Sequence, residues 1–214
     1  MKAALTQADA LPLARQLAAD LEAAYEAITA LDAEVGDGDL GVTCRLGMKA
    51  AVDLLATLEQ APFHEQLLKA GMAFNSAGAS TFGALVATAG MRMAKFLREQ
   101  QVERLDRPAL AGALRAAAEG IQQRGKAARG DKTLLDSLWP AIESLESAQS
   151  SGKGLAEALA DAAVAAEAGA EATRPLKSKF GRAAWMQERT VGVKDAGASV
   201  AVVVLQSLAA YVRG

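Results

Sequence analysis

The chain has 214 residues, 51% of them apolar but only 4% aromatic, and a formal net charge of −2. That suffices for one full hydrophobic core and not for two, so residues 1–214 are expected to form a single domain. No global basic field exists to hold nucleic acid or an anionic membrane, and a lone cysteine, Cys44, excludes an intrachain disulfide framework and fits a cytoplasmic home.

The N-terminal segment carries Asp9, Arg15, Asp20 and Glu22 where a signal peptide needs an unbroken apolar run. Its apolar residues fall at Leu13, Leu17, Leu21, Tyr25, Ile28 and Leu31, the spacing of one helical face, and the helix is expected to stop at Gly36. A second helix begins near Gly41 and shows Leu46, Val52, Leu55 and Leu58. Pro62 opens a third at its first turn, followed by Phe63, Leu67, Leu68 and Met72. A fourth runs from about Thr81 to Glu99. Pro108 opens a fifth, through Leu110, Leu114 and Ile121. Thr133 and Asp136 have the spacing of a capping box for a sixth, with Leu138, Trp139, Ile142 and Leu145. The connection SAQSSGKG at 147–154 ends it, and Leu155, Leu159 and Val164 start a seventh. The eighth runs from about Ala198 to Val212. The stretch from Ala196 to Tyr211 is the most apolar, but its length and its Gly and Ser residues speak for a buried helix over a membrane span.

Ala is the best helix former, and few residues are β-branched. Eight helices with short connections imply antiparallel neighbours, so the expected fold is an all-α, up-and-down bundle or barrel. In such an arrangement alternate connections share an end. The four Gly-rich connections, at 32–41, 75–83, 125–132 and 177–197, are alternate ones, so they are expected on one rim around one site.

The first of these, L-D-A-E-V-G-D-G-D-L-G, interleaves Asp32, Asp37 and Asp39 with glycines. Three carboxylates at a helix C-terminus repel one another and oppose the dipole, so the cluster calls for a cation. The donors are all hard oxygens, which points to magnesium and away from zinc. One Asp-Gly pair would be an ordinary acidic turn; three Asp with three Gly favour the metal. The second connection, N-S-A-G-A-S-T-F-G, precedes a helix, where N–H groups and hydroxyls can meet phosphate. Close Ala/Gly helix packing explains it equally well. The third, R-G-K-A-A-R-G-D-K-T-L-L-D, has a helix-capping reading. The fourth holds Lys177, Lys179, Arg182, Arg189 and Lys194 with Trp185, and a basic loop beside an acidic one suits a polyphosphate between them. Lys177 and Lys179 taken singly read as solvated charges. His64 lies away from these loops, so no Ser/His/Asp triad can be assembled.

The set L-D-x-x-x-G-D-G-D-x-G, the Gly/Ser-rich helix start, G-D-K-T-L-L-D and G-R-A-x-W-x-x-E-R-x-x-G-x-x-D-x-G-A resembles the nucleotide-binding L subunit of dihydroxyacetone kinases, in order and over nearly the whole chain. The resemblance implies a barrel of eight antiparallel helices that binds ADP or ATP through two magnesium ions. It implies Asp32, Asp37 and Asp39 as metal ligands. Leu40, Gly41, Val42 and Thr43 would lie along the phosphates, with Gly78, Ala79 and Ser80 as a second phosphate turn. Gly125 and Leu134 would line the adenine side, Arg182 would act on a phosphate as the catalytic cation, and Asp195, Ala196 and Gly197 would close the site. The implied reaction is phosphoryl transfer to a short ketose held by a separate K-type subunit. ATP is the donor in one branch; in the other, bound ADP is recharged by a phosphohistidine protein of the phosphotransferase system. A homodimer is compatible with the family, and neither nucleic acid nor a membrane is an expected partner. Three departures stand out: Leu40 where many members have His, no Gly-Pro step in the second connection, and Asp195-Ala196-Gly197 in place of Asp-Pro-Gly. They leave the metal ligands intact and the sugar and donor open. The rivals are a non-catalytic nucleotide-sensing module that regulates a partner and a metal-stabilised bundle without a ligand.

Overall fold

The computed structural model describes residues 1–148 and 152–214, so residues 149–151 of the connection anticipated at 147–154 lie outside the described residues. The described helices are α1 Ala10–Ala23, α2 Tyr25–Val35, α3 Leu40–Leu55, α4 Phe63–Ala77, α5 Thr81–Glu99, α6 Arg107–Gly125, α7 Leu135–Ser147, α8 Leu155–Glu171 and α9 Ala196–Arg213. The first expected helix is interrupted at Ala24, which separates α1 from α2 although Ala24 N still donates to Asp20 O and Ile28 N to Ala24 O. The other seven expected helices are each present.

Each helix packs against the next in sequence, and α9 returns to α1, which closes the ring. Large apolar side chains fill one end of it. Leu5, Leu11, Leu55, Phe63, Leu97 and Leu110 meet Leu145, Leu155, Leu205 and Val212 there. Toward the other rim the core divides. Leu21, Ile28, Leu40, Cys44, Met48 and Phe74 lie below the acidic connection. Ala118, Ile121, Leu135 and Ile142 lie behind the third connection. Buried alanines such as Ala158, Ala162 and Ala166, at the four-residue spacing of one face of α8, let neighbouring helices approach closely.

By length and composition α9 is long and apolar enough to cross a membrane, which corrects the expectation that this stretch is too short. Its Val200, Val202, Leu205, Leu208 and Val212 are nevertheless buried in the protein's own core.

The chain ends meet at the filled rim. Lys2 N donates to Val212 O at 2.8 Å. The Asp9 carboxylate gathers Lys2 Nζ at 2.8 Å, Thr6 N at 2.8 Å, Thr6 Oγ1 at 3.0 Å and Tyr211 Oη at 2.9 Å. Burial by itself would raise the proton affinity of Asp9, but the hydrogen bonds from Lys2, Thr6 and Tyr211 outweigh it and hold the carboxyl below its ordinary value of 3.8. A depressed folded-state pKa gives stability that is complete above the unfolded-state value and is lost as the pH falls through the folded one. Asp9→Asn is therefore expected to cost about 1–3 kcal/mol at neutral pH, the scale of hydrogen bonds to a charged group. In urea unfolding that deficit should shrink as the pH is lowered below 3.8; a deficit constant across the range would show that the ionised carboxylate is not the stabilising species.

Candidate active site

The acidic connection is built by three local devices. Asp32 sits on the last turn of α2, and Asp39 directly precedes α3. Gly38 adopts φ +73°, a left-handed conformation that lets the chain turn between Asp37 and Asp39. Leu40 N, one of the unpaired donors at the start of α3, donates to Asp32 Oδ2 at 3.0 Å and fixes that carboxylate. As a result one carboxylate oxygen from each of Asp32, Asp37 and Asp39 lies within 4.8 Å of the others. Arg182, from the fourth connection, pairs with Asp37 and approaches Asp39 at 3.6 Å.

This donor set fits a hard divalent cation, since it offers only carboxylate oxygens on a partly exposed rim. Cys44 lies close by in sequence, but burial first, and the Asp32 charge second, push its thiol up to about 12, so it offers no thiolate.

All four Gly-rich connections meet around a cavity of about 290 Å³. Its mouth carries Asp32, Asp37, Asp39 and Arg182. Ser80, Thr81 and Thr133 supply hydroxyls, and Leu85, Ile121, Ala127, Leu134 and Phe180 form an apolar wall. Of the sequence-derived residues, Leu40, Ser80, Gly125, Leu134, Arg182, Asp195, Ala196 and Gly197 line this cavity together with the three aspartates. Gly41, Val42, Thr43, Gly78 and Ala79 lie outside its lining. Val42 is exposed, and Gly41 is buried against Tyr25 and Thr29. A Cβ on Gly78 would stand 2.8 Å from the Thr43 carbonyl oxygen, so close helix approach accounts for that glycine. Ser80 caps α5 by accepting from Gly83 N at 3.0 Å, which leaves its own hydroxyl proton available.

The fourth connection is less basic toward the cavity than its composition suggests. Lys177 pairs with Glu188, Lys179 with Asp131 at 2.6 Å, and Lys194 with Glu167 and Glu171 at 3.1 Å each. Arg182 alone among its five cations lines the cavity.

Sequence reasoning missed Lys132, read Asp136 only as a helix cap, and placed Asp195 at the site without anticipating its burial. Lys132 is 2% exposed and is among the residues that line the cavity, while its ammonium donates to three backbone carbonyls. Asp136 accepts from Gly130 N at 2.6 Å and Thr133 N at 2.8 Å; its bond to Thr133 N is half of the anticipated capping box, and both bonds hold the third connection in place. Asp195 caps α9 through Ala198 N at 2.7 Å. Burial pushes the Asp195 carboxyl up to about 7, with Asp136 and Asp32 adding to the shift and the Ala198 N–H and Lys132 opposing it. The signal for Asp136 lay in its spacing from Thr133 within the run G-D-K-T-L-L-D; nothing in that run distinguishes Lys132 from a solvated lysine.

The family model for the DAK2 domain matches residues 34–210. The chain is 32% identical over 184 residues to the ADP-binding subunit of the PEP-dependent dihydroxyacetone kinase of Escherichia coli, covering 86% of this chain and 87% of that one. It is 34% identical over 185 residues to the human triokinase/FMN cyclase, covering 86% of this chain and 31% of that protein. The crystal structure of the Citrobacter freundii dihydroxyacetone kinase in complex with AMP-PNP and Mg2+ superimposes with a TM-score of 0.73 at 25% identity, covering 98% of this chain and 35% of that one. The chain thus spans most of the subunit-type relative and about a third of the longer kinases.

If the three carboxylates form a metal site, Mn2+ used as a paramagnetic substitute should bind the parent chain. Asp32→Asn and Asp37→Asn should each weaken it by at least about tenfold, the lower end of what even outer-shell changes cost at metal sites. Cys44→Ser should leave it unchanged. Equal Mn2+ binding by all four proteins, read by electron paramagnetic resonance, would show that the carboxylates do not hold the ion.

Proposed function

This chain belongs to the DAK2 domain family, and from that premise we propose that it is the nucleotide-binding, phosphoryl-transferring subunit of a kinase for a short ketose such as dihydroxyacetone. The observation that carries the proposal is the convergence of Asp32, Asp37 and Asp39 with Arg182 at the mouth of a cavity whose far wall is apolar. A nucleoside polyphosphate has that same polarity, charged at one end and flat and apolar at the other. The names of the relatives agree: an ADP-binding kinase subunit, a triokinase, and a kinase solved with AMP-PNP and Mg2+.

Asp32, Asp37 and Asp39 would hold two magnesium ions, which when bound draw negative charge from the phosphate oxygens. The chain's own groups do the rest. Leu134, Leu85 and Phe180 would receive the base, with Gly125 leaving room beside it. The hydroxyls of Ser80 and Thr81 would donate to phosphate. Asp195, Ala196 and Gly197 would close the side of the cavity at the start of α9. Arg182, released from Asp37 when cations neutralise that carboxylate, would donate its planar fork to the transferring phosphoryl group. Positioning and charge neutralisation supply the rate, and the sugar with its proton acceptor would come from a separate sugar-binding subunit. We place this work in the cytoplasm, with either ATP consumed or a resident ADP recharged by a phosphohistidine protein.

Calorimetry tests the binding half. ADP should bind only with magnesium, and Asp37→Ala with Asp39→Ala should abolish measurable heat. Unchanged affinity in that double variant would refute the assignment of the site. A coupled assay with a sugar-binding subunit and dihydroxyacetone tests the catalytic half. Arg182→Ala should lower kcat about 10²–10³-fold, as loss of a charge-stabilising donor does. Turnover excludes the sensing-only rival; nucleotide binding without turnover under either donor would favour it.

A further inference from the structure

The fourth connection leaves the bundle at Thr173, runs outward past Arg182 and Trp185, and returns to α9 at Asp195. Few of its residues are anchored in the core. Between Lys177 and Val193 only Ser178, Thr190 and Val193 are buried, and Trp185 is 88% exposed. Its 3-10 segment Arg182–Thr190 touches α2, the helix that carries Asp32. The position of Arg182 therefore depends on how the two ends of this excursion are held.

One side chain bonds both ends at once, beside direct bonds between them such as Asp195 N to Thr173 Oγ1 at 2.9 Å. Lys132 reaches in from the third connection, and its Nζ donates to Leu176 O at 3.1 Å, Thr190 O at 2.5 Å and Val193 O at 2.6 Å. The first acceptor lies on the outgoing limb of the excursion, before Arg182, and the other two lie on the returning limb. An ammonium has three protons, and all three are engaged, so Lys132 has none left for a phosphate although it lines the cavity. Its backbone takes φ +62°, a conformation that non-glycine residues rarely adopt and that persists only where the surroundings enforce it. Among the described residues no carboxylate forms an ion pair with it. Thr190 adds a second tie, since its Oγ1 accepts from Ser178 N at 3.1 Å, and Gly192 N donates to Arg174 O at 2.7 Å.

We propose that Lys132 is a positioning residue for phosphoryl transfer, a buried clasp that joins both ends of the 176–193 excursion and so sets Arg182 over the acidic cluster. The proposal rests on the kinase reading above for its catalytic consequence, but not for its structural one. Burial also lowers the proton affinity of this ammonium, with Asp195 opposing, as expected of a charge kept for its hydrogen bonds. An apolar residue of the same length would leave the Leu176 and Val193 carbonyls without donors and Thr190 O with only the 3.4 Å bond from Val193 N. An arginine would present its donors in a fixed plane rather than around one atom.

The test uses Lys132→Met and Lys132→Arg in a Trp139→Phe background, where Trp185 is the sole tryptophan. Lys132→Met should lower the fluorescence anisotropy of Trp185 while Mn2+ still binds the acidic cluster with affinity within about twofold of the parent. With the sugar-binding subunit it should lower kcat by about tenfold or more. Combined with Arg182→Ala it should add little, because both changes remove the same positioned group. Lys132→Arg should not restore the parent values. Additive losses in the double variant, or an unchanged anisotropy, would overturn the proposal. Thr190→Val removes the hydroxyl that accepts from Ser178 N and donates to Gln187 O, leaves the Lys132 bonds in place, and should move anisotropy and kcat the same way by a smaller amount; it provides the test should Lys132→Met fail to fold. If the parent chain shows no turnover, the kinase reading fails while anisotropy and Mn2+ affinity still judge the clasp.

Discussion

Antiparallel helices of similar length leave only two places for their connections, and strict alternation sends every second one to the same place. Here the connections after α2, α4, α6 and α8 all reach one rim. The other rim receives the large side chains, from Leu5 and Phe63 to Leu205 and Val212. A closed ring of rods packed with alanine at its waist cannot fill both ends equally. The cavity is what remains where the leucines stop and glycine-rich turns begin. The turn after α4 has little room for bulk: Gly78 stands against the Thr43 carbonyl, and Gly83 against Gly78 itself.

On that rim, charge is arranged by local backbone geometry before any ligand arrives. Two carboxylates flank a left-handed glycine, and the third is oriented by a free N–H at the start of α3. Opposite them is a guanidinium on an excursion with little core of its own. Beneath lie two groups removed from water, the Asp195 carboxyl and the Lys132 ammonium, each satisfied mainly by backbone partners. Burying a charge is tolerable only when its hydrogen bonds are supplied; the Lys132 ammonium has three, whereas the Asp195 carboxyl accepts from Ala198 N and burial raises its proton affinity.

Most of the scaffold was legible in the sequence, because leucine spacing marks helical faces and glycine clusters mark turns. The interruption at Ala24 was not, since alanine is the strongest helix former and gives no warning of a break. The acidic cluster was legible because three carboxylates so close together have few structural uses. The basic loop was legible only in part. Lys177, Lys179 and Lys194 are matched by Glu188, Asp131, Glu167 and Glu171, residues that no periodicity connects to them. Lys132 could not be singled out at all. A lysine in a polar turn reads as solvated, and its burial follows from the path of a segment more than forty residues later in the chain.

The pairing of Lys2 N with Val212 O has a bearing on how such a chain can be joined to others. Both ends emerge together on the rim opposite the cavity, fastened through Asp9 and Tyr211. A tether at either end would leave the mouth unobstructed, and a new peptide link between them would need only a short span. That geometry suits a module carried as a chain of about its own length, as in the Escherichia coli subunit, or as about a third of a longer protein, as in the human triokinase/FMN cyclase.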